Sequence, residues 1–189
     1  MELSKESKQA RLDILQMPSL PYDDIFAAID IALAIGKYKQ ERDAVFLPFY
    51  LTYTALNEII PFGTSLNYHE NTDAAVDLAV HKKNVKQDGR VFLVISSYEV
   101  SRGDFWDCLL SGKEFKLDNL TVIVDKNSGI LHSENLRQIA MYAGWASTCL
   151  DGHHIPSLIS AFEWGETLSV PQLLVANTVK GRGEFQDDI

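Results

Sequence analysis

Two unbroken apolar runs divide the chain, Val91, Phe92, Leu93, Val94 and Ile95, then Leu120, Thr121, Val122, Ile123 and Val124. Runs of strand length with no polar alternation read as strands covered on both faces of a parallel sheet. Between them lie a polar, acidic turn and an amphipathic segment, so Arg90 to Gly129 predicts a βαβ unit. Parallel sheets hold ligands at the carboxyl ends of their strands. Here those ends are Ser96 to Glu99 and Asp125 to Gly129.

The flanking pattern is helical. Leu12, Ile14 and Leu15 give an apolar stripe to a helix from about Ser4 to Met17, which Pro18 and Pro21 break. Asp23 and Asp24 favour a helix start, and Ile25, Ile29, Ala32 and Leu33 carry that helix to Gly36. Asn71 can cap a helix that buries Ala75, Val76 and Ala79. Ser133 is placed to cap one carrying Leu136, Ile139 and Ala140, with Gly144 ending it. A strand from Ala146 to Leu150, a turn at Asp151 to His154, a helix around Leu158 to Phe162 and a strand from Leu173 to Asn177 complete an α/β domain.

Composition narrows the functional classes. The chain is 46% hydrophobic and 23% charged, ordinary for a globular domain, and its formal net charge of -9 argues against nucleic acid or an anionic membrane as partner. No apolar run approaches the ~20 residues of a membrane span. The start lacks the apolar core of a signal peptide, so a cytoplasmic protein is expected. Cys108 and Cys149 lie far apart without metal spacing and read as reduced core thiols. His153 and His154 are adjacent in a turn, where neighbouring side chains do not converge on a metal.

The central unit also carries motifs. Glu99, Gly103 and Trp106 are followed by Lys116, Leu117, Asp118, Asn119, Leu120, then Val122, Ile123, Val124, Asp125 and Asn127. Further on come Ala143-Gly144-Trp145, Asp151-Gly152-His153 and Thr178-Val179-Lys180-Gly181-Arg182-Gly183. This succession resembles the diphosphate-binding (PP) section of transketolases, the thiamine diphosphate enzymes. The resemblance implies a three-layer thiamine diphosphate-binding fold, α/β, with a mostly parallel sheet and helices on both faces. It implies a single PP domain over residues 1–189, with no pyrimidine-binding (Pyr) domain and no C-terminal transketolase domain. The partner implied is a separate Pyr-type chain, the C-terminal section of a split transketolase, in a two-plus-two heterotetramer with an apolar face between the chains.

On that resemblance Glu99 takes the place of the interface acid in cofactor activation. Ser97, Tyr98, Asn127 and Gly129 take cofactor-binding places, and Asn127 with the Gly129 carbonyl takes two of the magnesium-ligand places. The third ligand place, an aspartate in the family, is Ser97 here, and a neutral hydroxyl is a poor exchange for a carboxylate on magnesium. Other departures fall on the same pocket. Pro18 to Pro21 stands where the family has a histidine-glycine turn; Phe49, Tyr50 and Leu51 stand where it has lysine, glycine and histidine; Asn67 and His69 stand at glycine positions. These aromatics, with Tyr53, read as packing that fills space.

Two functions follow from these residues. In one, the cofactor site is degenerate and the chain is a non-catalytic or repurposed partner subunit, with neither thiamine diphosphate nor magnesium required. In the other, it is the active half of a transferase that moves a ketol or acyl two-carbon unit with thiamine diphosphate and magnesium. A lesser variant reuses Ser97, Tyr98, Glu99 and His69 for new chemistry. In it His69 and Glu70 join Glu99 as an acid-base or metal cluster, against the plainer reading of surface polarity.

Overall fold

The computed structural model describes residues 22–48, 71–128 and 131–182, together with Lys5, Lys8 and Gln9. Five strands form one all-parallel sheet: β1 (Ala44–Phe46), β2 (Val91–Ser96), β3 (Leu120–Lys126), β4 (Ala146–Asp151) and β5 (Gln172–Asn177), in the order β1-β2-β3-β5-β4. The helices are α1 (Tyr22–Tyr38), α2 (Asn71–Asn84), α3 (Gly103–Glu114), α4 (Ser133–Tyr142) and α5 (Ile155–Glu166), with a 3-10 turn at Glu99–Ser101.

The continuous apolar runs form strands buried on both faces, and alternate side chains serve two cores. Phe92, Val94, Ile123, Leu174 and Ala176 pack with α1 and α5, whereas Val91, Leu93, Ile95, Val122, Val124, Leu173 and Val175 pack with α2, α3 and α4. The three-layer α/β expectation holds. Topology explains the division of helices. The chain moves in one direction across the sheet from β2 through β3 to β4, then steps back to place β5 between β3 and β4. Right-handed crossovers put connections of opposite direction on opposite faces, so α5 lies across the sheet from α3 and α4.

Several boundaries differ from the sequence pattern. Helix α1 continues past Gly36 to Tyr38, whose ring packs on Phe92 and Phe162. Helix α5 runs well beyond Leu158 to Phe162 at both ends, with Pro156 in its first turn, where no amide donor is needed. Ser133 is not the cap of α4. His132, extended, holds that position, and the Ser133 hydroxyl donates to Asn177 Oδ1 at the end of β5. Asn71 is the first residue of its helix. Gly144 does end α4: at φ +88° its amide donates to Met141 O, and the next amide, of Trp145, donates to Ala140 O. The short strand β1 has no counterpart among the expected elements, because three residues carry too little pattern to announce a strand. Of the expected helix from Ser4 to Met17 the described residues are Lys5, Lys8 and Gln9, all helical.

A polar network stiffens the amino ends of the strands. Gln172, fully buried, accepts from Thr121 Oγ1 at 3.0 Å and donates to Ala161 O at 2.7 Å. Arg90 donates to Thr121 Oγ1 and to Gly165 O in the last turn of α5, where a cation also meets the negative end of the helix dipole. No described helix is long and apolar enough to cross a membrane.

Candidate functional site

Register brings the carboxyl ends together. Ser96 pairs with Asp125 and Asp125 with Ala176, so the residues just beyond them, Ser97, Asn127 and Thr178, emerge along one rim. The Ser97 amide donates to Asp125 O at 3.0 Å, and its hydroxyl lies 3.3 Å from Ser128 Oγ. Ser128 Oγ donates to Asn127 Oδ1 at 3.0 Å, and Asn127 Nδ2 donates to Asp125 Oδ2 at 3.2 Å. Asp125 is completely buried, and Thr178 Oγ1 donates to its other carboxylate oxygen. Ser97, Ser128, Asn127, Asp125 and Thr178 thus form one hydrogen-bonded chain across the ends of β2, β3 and β5.

Glu99 is close by in sequence but engaged elsewhere. Its Oε2 accepts from the Ser96 amide at 2.7 Å and from the Ser96 hydroxyl at 2.9 Å, so the carboxylate closes the turn after β2. Tyr98 is 79% exposed on that turn. Gly129 lies outside the described residues, as do His69, Glu70, Asn67, Phe49, Tyr50, Leu51, Tyr53 and the turn from Pro18 to Pro21.

The donor set can be judged by its chemistry. Magnesium takes hard oxygens in a near-octahedral array, usually carboxylates and phosphates with water. At the described ligand places stand the Ser97 hydroxyl, beside Ser128, and the Asn127 amide oxygen, which accepts from Ser128. The Lys126 ammonium reaches the same loop and donates to Ser128 O. A cation there opposes a second one. The two described ligand places, Ser97 and Asn127, thus offer magnesium a hydroxyl and an amide and no carboxylate. Among the described residues no group of three or more His, Cys, Asp or Glu side chains is arranged to hold a metal.

Sequence reasoning passed over Lys126, Ser128 and Thr178. Lys126 could have been found as the one cation inside the Asp125 to Asn127 motif, and Thr178 as the first residue of the Thr178 to Gly183 motif; their contacts depend on register and could not. His153 and His154 turn to different partners. His154 Nδ1 lies 2.6 Å from Ser157 Oγ. His153 accepts the Val179 amide at Nε2, at 2.9 Å, which leaves the proton on Nδ1 to be donated to Asp30 Oδ2, also at 2.9 Å.

The chain is similar to known proteins in sequence and in fold. No protein-family model matches the chain. It is 32% identical over 106 residues to the transketolase of Homo sapiens, a match that covers 52% of this chain and 17% of the enzyme. It is 28% identical over 117 residues to one of the subunits of the apulose-4-phosphate transketolase of Phocaeicola vulgatus, covering 57% of this chain and 42% of that polypeptide. The matches therefore span less than half the length of these relatives. In structure it superposes on the transketolase of Campylobacter jejuni with a TM-score of 0.76 at 15% identity, over 97% of this chain and 39% of that one. The chain is a homologue of transketolases, equivalent to part of one, and it has their thiamine diphosphate-binding fold.

Proposed function

We propose that this chain is the PP-type section of a two-component transketolase-like protein that pairs with a separate Pyr-type chain as a heterotetramer, and that it serves there as a non-catalytic or repurposed subunit. The observation that carries this reading is the rim itself: at the aspartate place of the family motif stands Ser97, its hydroxyl beside Ser128 and near the loop that Lys126 holds. A partner is supported by the relatives whose names make them one subunit of an apulose-4-phosphate transketolase. It is supported too by Tyr98, Trp106 and Leu110, large apolar side chains left exposed on the turn after β2 and on α3. Uncovered apolar side chains of this size suit a permanent interface.

In such a complex this chain supplies rigid wall and contact surface. Glu99, bonded back to Ser96, shapes the turn that meets the partner. Thiamine diphosphate, where it is bound, supplies a carbanion-stabilising centre; the residues on this rim offer it hydroxyls and an ammonium, and no metal-holding carboxylate.

The test is calorimetric titration of thiamine diphosphate with magnesium into the chain co-purified with its Pyr-type partner. The expected result is an assembled complex that gives no saturable heat at about millimolar cofactor. Saturable binding at roughly micromolar cofactor that is lost on Asn127→Ala would instead establish the active half of a two-carbon transferase.

A further inference from the structure

Between the ends of β2 and β3 and the start of α4 lies a cavity of about 220 Å³, smaller than the roughly 300–1,000 Å³ that drug-sized ligands occupy. Val100, Leu131 and Leu136 are its apolar lining residues, with Tyr98, and its polar lining residues are Ser97, Ser101, Ser128 and Lys126. Among the described residues Lys126 is the one charged side chain that lines it. In a chain of net charge -9, a cavity lined by a cation and by no described carboxylate is a local reversal of sign. Of the two acids on the adjoining strand end and turn, Asp125 accepts from Thr178 and Asn127, and Glu99 accepts from Ser96 through Oε2.

We propose that this cavity binds a small organic monocarboxylate without a metal ion, the carboxylate held by Lys126 and the Ser97 hydroxyl and a short apolar body lying against Val100, Leu131 and Leu136. The inference rests on the reading that magnesium and thiamine diphosphate do not occupy this rim. Charge selects the ligand. An ammonium on a flexible stem is a compact point charge that can follow an anion over a short distance. One such charge balances one negative charge; the second charge of a phosphate ester would be left unpaired against apolar walls, which is costly. Helix α4 begins at Ser133, between the lining residues Leu131 and Leu136 in the chain, so its first turn contributes to the wall. The contact between Ser97 Oγ and Ser128 Oγ, at 3.3 Å, is long for a hydroxyl pair, so a ligand oxygen can replace it at little loss.

The probe is 3-methylbutanoate, titrated into the whole 189-residue chain in EDTA and followed by amide chemical shifts, with 3-methylbutanamide and inorganic phosphate as comparisons. Saturable binding at roughly millimolar concentration is expected, with shifts confined to the ends of β2 and β3 and the start of α4. The amide, on the unaltered protein, should bind at least about tenfold more weakly, and Lys126→Met should lose a similar factor while keeping the stem length, since a hydrogen-bonded charge pair is removed in both. The proposal is overturned if the acid and its amide bind alike, if phosphate binds more tightly than the acid, or if no probe saturates. Binding of thiamine diphosphate with magnesium at this rim would remove the parent reading as well; failure of all ligands would remove only this inference.

Discussion

Cys108 shows how position turns a reactive residue into an inert one. It lies on the buried side of α3, and burial, with a smaller contribution from the Asp73 charge, pushes its thiol from an ordinary value of 9.0 up to about 12. Burial also pushes Cys149 up. The native protein should therefore leave Cys108 unmodified by iodoacetamide at pH 8, whereas the guanidinium-unfolded chain should lose both thiols, as mass spectrometry would record. The linkage has a definite sign. The folded state holds the Cys108 proton more tightly than the unfolded one, so this contribution to stability is complete below pH 9 and declines as pH rises from 9 towards 12. A Cys108→Ala variant should show a shallower loss over that range in denaturant titrations. Of the candidate site residues, Ser97 and Asn127 were legible from motif spacing and do meet on one rim; that Glu99 bonds back to Ser96 was not, because it depends on a rotamer of the turn.

At the scale of elements, the Ala143-Gly144-Trp145 motif is explained by packing. Gly144 supplies the positive φ that ends α4, and Trp145, buried, donates its indole N–H to Leu109 O of α3 at 2.8 Å. Its ring also lies on Gly112. A Cβ on Gly112 would stand 2.2 Å from Trp145 Cζ2, on a large ring packed into the core, so no small adjustment relieves it. Gly112→Ala should cost about 2–3 kcal/mol by overpacking, although alanine is the better helix former. Thermal unfolding should move down by about 2–4 °C for each kcal/mol in a chain of this size. An unchanged or raised Tm would mean that α3 and Trp145 are less tightly joined than the contact implies. The turn at the end of α4 could be read from its glycine. The partner of that glycine's neighbour, one helix away, could not.

At the scale of the whole molecule, one buried pair fastens a helix layer to the carboxyl-end rim of the sheet. His153 sits after β4, takes its Nε2 bond from Val179 after β5 and gives its Nδ1 proton to Asp30 on α1, with both side chains only 1% exposed. The contact joins residues far apart in the chain, and a loss at any point leaves buried polar groups behind. Asp30→Ala should lower stability by about 3 kcal/mol, since it orphans a buried imidazole N–H. Denaturant unfolding measures this, and hydrogen exchange should show faster opening at Val179 than at the centre of β3. Equal protection at both sites would mean that the pair does not hold the rim.

Local periodicity and motifs contiguous in the chain were enough for the fold class, the central βαβ unit, most helices and the family resemblance, because each is written in neighbouring residues. Apolar runs of strand length admit little besides a sheet covered on both faces. The strand order, with β5 inserted between β3 and β4, was decided only in three dimensions, as were the bonds from Asp30 to His153 and from Thr178 to Asp125. So was the meeting of Lys126 with Ser97 and Ser128 around one cavity. Those contacts depend on strand register and on which face each crossover takes, and neither quantity is written in any single stretch of residues.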